Sequence, residues 1–311
     1  MLEANELMPI LERGAILADA RPFDPLTRLA GFETRYPNSF KILLVGGVHP
    51  TNNVTVMENP YTHRLHDESF ANVGEHCLAV ASLAQTLSLK LLESGALSPE
   101  EADSATSRAL VHDANKRLEV MRRNAVKEGV ENEAYTPRAY ETIRPILISQ
   151  GVDPELVEYM VKAGEETGHL SIGGFLRLED GIPSLKPGRL VDKIVHLADD
   201  MTSTSIPEKG ERPLTVYLTP WERMVASEFP RRYPMLWEEG LAFGSQDEIV
   251  TLEDVSKASR NLRWIRNFAF WQPFTSNAIC REILAIVDPE SKQRPEYFVK
   301  DLVNKALIPA A

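Results

Sequence analysis

The chain has 311 residues, a net charge of −11, 43% apolar residues and 25% charged residues, a profile that fits a folded protein and not a disordered one. Two cysteines, Cys77 and Cys280, are too few for a disulfide framework, and no run approaches the roughly 18–20 apolar residues of a membrane span. The acidic balance disfavours a general nucleic-acid coat. The opening MLEANELMPILERG has no basic segment leading into an apolar one, so export is not expected and a reducing cytoplasmic compartment is.

Residues 16–69 are rich in Pro, Asn and Thr, and within them KILLVGGV (41–48) reads as a short strand ended by Gly46-Gly47. From 70 to 95, Val73, Cys77, Val80, Ala84, Leu87 and Leu91 recur at three and four residues, which predicts a helix, with Gly95 as its stop. Ser98-Pro99-Glu100-Glu101 has the form of a capped helix start, and that helix should run through Ala109-Leu110-Val111 into His112-Asp113. Thr136-Pro137 and Asp153-Pro154-Glu155 read as two further starts, and Pro187-Gly188 precedes the amphipathic run RLVDKIVHLADDMTS. Segments 170–187 and 203–220 read as loops. From about 218 to 306 more helices are expected, with Thr251 capping one of them. The expected fold is all-α. It has an N-terminal extension with a short strand over 1–59, a helical core over 60–205, and a C-terminal helical extension over 206–311 packed on the core.

The chemistry lies in the histidines. His66-Asp67 sits in the polar stretch THRLHDES and reads as a solvated pair, and His49 and His63 read as loop histidines. His112-Asp113 instead closes the apolar run RALVHDANK, where an imidazole and a carboxylate should face a partly buried site and need partners; a cation satisfies both. His76 lies in the otherwise apolar NVGEHCLAVA, and Asp199-Asp200 close KIVHLADD. Imidazoles and carboxylates brought together from three helices make a mixed N/O site suited to Mn, Fe, Co, Ni or Zn, and less to Ca. Motifs of competing chemistries (GxxxxGK[ST], HExxH, paired CxxC, GxSxG) do not occur, and Gly46-Gly47 is too short for a dinucleotide fingerprint. The four tryptophans read as packing residues, and Cys77, on the apolar stripe, does not read as a nucleophile.

The order EHCLAVASLA, ALVHDANK, IVHLADDMTS resembles the HD-domain metal-dependent phosphohydrolase superfamily over residues 60–205. The resemblance implies an HD-type helical core and a divalent metal ion (Mn, Fe, Co, Ni, Zn or Mg) held by His76, His112, Asp113 and Asp199, with Asp200 the alternative to Asp199. It further implies that Lys116 and Arg64 face the substrate phosphate. His169, with Glu165 four residues before it, would bind a second metal or the substrate, while His196 reads as a core-facing or supporting histidine. Glu75, Asp67 and His169 are all open as the general acid. The implied activity is metal-assisted hydrolysis of a phosphoester, with a small phosphorylated molecule of nucleotide type as substrate and no membrane or nucleic-acid partner; an oligomer is compatible with it. Two alternatives are an HD-fold di-iron oxygenase, which would need His169 and His196 as ligands, and an inactive HD-type nucleotide-binding regulatory protein.

Overall fold

A computed structural model describes residues 15–50, 73–116, 144–166, 175–179, 182–205, 214–226 and 272–307. The described chain is mostly helical. At its centre stands α3 (Val73–Glu93), with Cys77, Val80, Ala84, Leu87 and Leu91 of the predicted stripe fully buried. Leu78, Ala81, Leu83 and Ser88, off that stripe, are buried as well, so the helix is wrapped over most of its circumference. Gly95, at φ +79°, takes the left-handed position that stops it, and the Ala96 N–H donates to the Leu91 carbonyl at 2.8 Å.

Helix α4 (Pro99–Val111) begins at Ser98, whose hydroxyl accepts from the Glu101 N–H at 3.2 Å while the Glu101 carboxylate accepts from the Ser98 N–H at 2.8 Å. It pairs with α3 along its length, and α6 (Leu190–Met201) lies against both. Helix α5 (Pro154–Glu166) starts where Asp153-Pro154-Glu155 predicts, with Asp153 Oδ1 accepting from the Glu155 N–H at 2.9 Å, and rests on α4. Two helices of the C-terminal region, α8 (Gln272–Val287) and α9 (Pro295–Leu307), pack on each other and reach α3, and α8 also lies along α6. Among the described residues a large apolar core results, running from Phe23 to Leu307, with a small second cluster of Val216, Leu218 and Ala226. Each Leu or Ile buried in it contributes about 1.5–3 kcal/mol of transfer free energy.

Two readings of the sequence are corrected. The run 41–48 is not a strand: α2 (Pro37–Gly46) is a helix with Pro37 in its first turn, and α1 (Leu29–Arg35) precedes it. Gly47, at φ +71°, ends α2, and the Val48 N–H donates back to the Leu43 carbonyl at 3.0 Å. The glycine pair therefore caps a helix, and the helical spacing of buried Ser39, Phe40, Leu43 and Gly46 overrides the local look of ILLV.

Segments 170–187 and 203–220 are not wholly loops either. β2 (Leu176–Glu179) and β3 (Ile182–Leu185) form an antiparallel hairpin, Leu176 opposite Leu185. β4 (Thr202–Ser205) and β1 (Pro22–Phe23) flank β5 (Leu214–Tyr217) in an antiparallel sheet of order β1-β5-β4. This sheet docks on α3 through Tyr217, whose buried hydroxyl donates to the Ala79 carbonyl at 3.0 Å. The short α7 (Pro220–Ala226) follows β5, and Thr219 and Glu222 close its start reciprocally. The expected helix start at Thr136-Pro137 and the Thr251 cap lie outside the described residues.

Candidate metal centre

Three helix ends meet at one point. His76 stands in the first turn of α3, His112 closes α4, and Asp199 is in the last turn of α6. Ligand atoms of these three residues all lie within 4.8 Å of one another, so the cluster can hold a metal ion. Asp199 Oδ1 is 3.1 Å from His76 Nε2 and 3.5 Å from His112 Nε2, and the two rings are 5.2 Å apart between centroids. Bonds of about 2.0–2.2 Å to one ion place neighbouring ligand atoms roughly 3.0–3.6 Å apart, the spacing of both carboxylate–imidazole pairs.

The tautomer of His112 makes the fit chemical as well as geometric. Its Nδ1 lies 2.7 Å from the Ala109 carbonyl oxygen, which can only accept, so the hydrogen sits on Nδ1. The neutral ring then aims a lone pair from Nε2 at the Asp199 carboxylate, and that nitrogen is buried with no hydrogen-bond partner. A lone pair facing a carboxylate is unfavourable without a positive charge between them, and either a proton or a metal ion supplies it.

The electrostatics follow the same arrangement. Burial pulls the His112 imidazolium down, but the adjoining Cys77, Asp113 and Asp199 outweigh it and hold His112 well above its ordinary value. Burial pushes Asp199 up, and the close imidazoles of His112 and His76, helped by the charge of Arg223, bring it well below the usual carboxylate range.

The remaining expected residues divide. Asp113 is not one of the clustered three; it sits in the turn after α4 with its carboxylate 3.4 Å from the Lys116 ammonium, and burial's upward push on it is overcome by Lys116 and His112, which hold it low. Lys116 is thereby held beside Asp113, four residues on from His112. Asp200 points away, and His196 faces the core, wholly buried, with its ring 5.1 Å from that of Phe175 and its Nε2 3.5 Å from Asp200. The backbone of Glu165 lies on α5, but its side chain, like Arg64, Asp67 and His169, is outside the described residues.

Several contributors were not anticipated. Gly46 packs directly on the carbonyl of Ala114 in the His112-Asp113 turn, closer than any side chain would allow. Arg108 and Asp192 join α4 to α6 at 2.6 Å, and Arg189 donates to the same carboxylate at 2.9 Å. These residues, with Tyr159 under the Arg108 guanidinium, line an open groove of about 550 Å³. Arg108 precedes His112 by four residues and Asp192 precedes Asp199 by seven, so the groove follows the seam that carries the centre. That periodicity was the signal available in the sequence. Among the described residues no helix is long and apolar enough to cross a membrane. Comparison of the chain with family models, curated proteins and solved structures finds no match.

Proposed function

We propose that the chain is an HD-type metal-dependent phosphohydrolase that cleaves the phosphoester of a nucleotide or a similar small phosphorylated molecule. The observation that carries the reading is the convergence of the buried Nε2 of His112 with ligand atoms of Asp199 and His76, all within 4.8 Å of one another. A divalent cation held there would supply Lewis acidity and a water acidified toward neutrality. His76, His112 and Asp199 are its holders, with Asp113 beside them as the fourth ligand implied by the resemblance. Lys116 places an ammonium next to Asp113 and would offset phosphoryl charge as it grows; Arg64 is assigned the same task and Glu165 and His169 the binding of a second cation or the substrate, all three from the resemblance alone. The groove along Arg108, Tyr159 and Asp192 has the volume of a small-molecule site and would take the part of the substrate away from the phosphate.

The test is a phosphate-release screen across nucleotides and sugar phosphates with Mn²⁺, Co²⁺, Ni²⁺ and Mg²⁺, after elemental analysis of protein purified without chelator. Release that needs the divalent ion and falls about 10–100-fold in Lys116→Ala, with metal content unchanged, is the expected result. Bound metal with no turnover on any phosphoester would favour the regulatory reading, and O₂ consumption by an iron-loaded form would favour the oxygenase.

Metal binding is also expected to depend on pH. His112 must give up its Nε2 proton to bind, and Asp113 and Asp199 hold that proton above the ordinary 6.5. Affinity should therefore strengthen by up to about tenfold per pH unit from pH 6 upward and level off above the folded-state value of His112, with one proton released per ion. Metal-free stability has the opposite sign from this residue. The contribution of His112 is complete below about 6.5 and is lost as pH rises through its raised value; that of Asp199 is complete above about 3.8 and is lost as pH falls through its lowered one. Calorimetric titration in two buffers of different ionisation heat measures the proton, and an affinity flat from about pH 6 to 8 would contradict the assignment of His112 as a ligand.

A further inference from the structure

Asp199 and Asp200 are consecutive on α6, so their side chains leave the helix about 100° apart. Asp199 meets the histidines, while Asp200, 2% exposed, enters the contact with the C-terminal helices. Its Oδ1 accepts from the Arg223 guanidinium of α7 at 3.2 Å and from the side-chain amide of Gln272 at the start of α8. Its Oδ2 accepts from the hydroxyl of Ser276, one turn further along α8, and faces His196 Nε2 at 3.5 Å. A carboxylate this buried is strongly unfavourable without such partners, so the arrangement defines one rotational setting of α6 against α7 and α8. Any turn or slide of α6 that releases Asp200 carries Asp199 out of reach of His76 and His112.

We infer that Gln272 and Ser276, acting through Asp200, are positioning residues for the metal-binding carboxylate Asp199, which makes the C-terminal helix α8 part of the metal centre's support. The inference rests on the metal reading of His76, His112 and Asp199. An internal control exists in the buried Lys193 ammonium, which binds both Glu282 carboxylate oxygens at 3.0 and 2.7 Å. That pair also joins α6 to α8 but does not touch Asp200.

The experiment is calorimetric titration of the full chain with Mn²⁺ or Co²⁺, beside thermal unfolding followed by circular dichroism. Asp200→Asn is expected to raise the metal Kd about 10–100-fold. Ser276→Ala and Gln272→Ala shift it in the same direction, with Ser276→Thr recovering part of the loss. Lys193→Met should leave Kd within about twofold even where it lowers the unfolding temperature. If Asp200→Asn does not fold, Ser276→Ala against Lys193→Met gives the same comparison. Equal Kd values for the wild type and the folded Asp200 or Ser276 variant, or an equal loss in Lys193→Met, would overturn the positioning role and leave the metal reading standing. A wild type that binds neither ion would sink both.

Discussion

Asp199→Ala is expected to weaken divalent-cation binding by at least about a hundredfold and to abolish any metal-dependent turnover, while the chain stays folded. The carboxylate is the one anion among the three clustered groups, and it touches both imidazoles, so its loss removes a ligand and the charge that draws the cation in. It also changes the metal-free protein. Without Asp199, one of the groups that oppose burial at His112 is gone and the imidazole should titrate lower, which histidine proton resonances would show directly. Asp199→Asn separates the two effects by keeping shape and discarding charge. Metal content by elemental analysis and Kd by calorimetry decide the matter, and a wild-type Kd in Asp199→Ala would refute the centre.

The second large effect is steric. Gly74 is two residues before His76, and a Cβ there would run into the Val48 carbonyl oxygen and come within 2.6 Å of the Pro50 nitrogen and 2.9 Å of its Cα. All three are backbone atoms, so no side-chain rotation relieves the clash, and the start of α3 must part from the loop after α2. Gly74→Ala should destabilise the protein by about 2–3 kcal/mol and lower its unfolding temperature by about 4–12 °C. Because His76 rides on the same turn, metal affinity should fall with it. Gly31→Ala is the matched control: it lies in α1 with nothing within 4 Å of the added carbon, and should stabilise by about 0.5–1 kcal/mol. Equal melting curves for the two variants would mean that the α2–α3 junction yields freely.

The helices that carry the centre were legible because each announces itself locally. The Cys77–Leu91 stripe of α3 repeats over about four turns, and the Ser98/Glu101 box of α4 is written within one. Of Asp199 and Asp200, it is Asp199 whose carboxylate lies in the cluster. What local signals could not give is anything fixed by distant partners. α2 hides in a run of branched residues, and one of its glycines, Gly46, serves a contact with the distant Ala114. The strands β4 and β5 are four-residue segments of Ser, Thr, Leu, Val and Tyr that acquire order only by pairing. For β2 and β3 a cue did exist, the Asp180-Gly181 dipeptide between two short runs. The partners of Asp200 lie 23, 72 and 76 residues away, beyond any periodicity.

The three clustered side chains sit at helix termini, and the termini are not alike. α4 and α6 arrive with their carboxyl ends, each carrying about half a negative charge from aligned peptide dipoles, whereas α3 arrives with its amino end and the opposite half charge. Two against one leaves a backbone field that favours a cation before any side chain is counted. On the proposed phosphohydrolase reading, the same field would disfavour a phosphate dianion until the cation is bound.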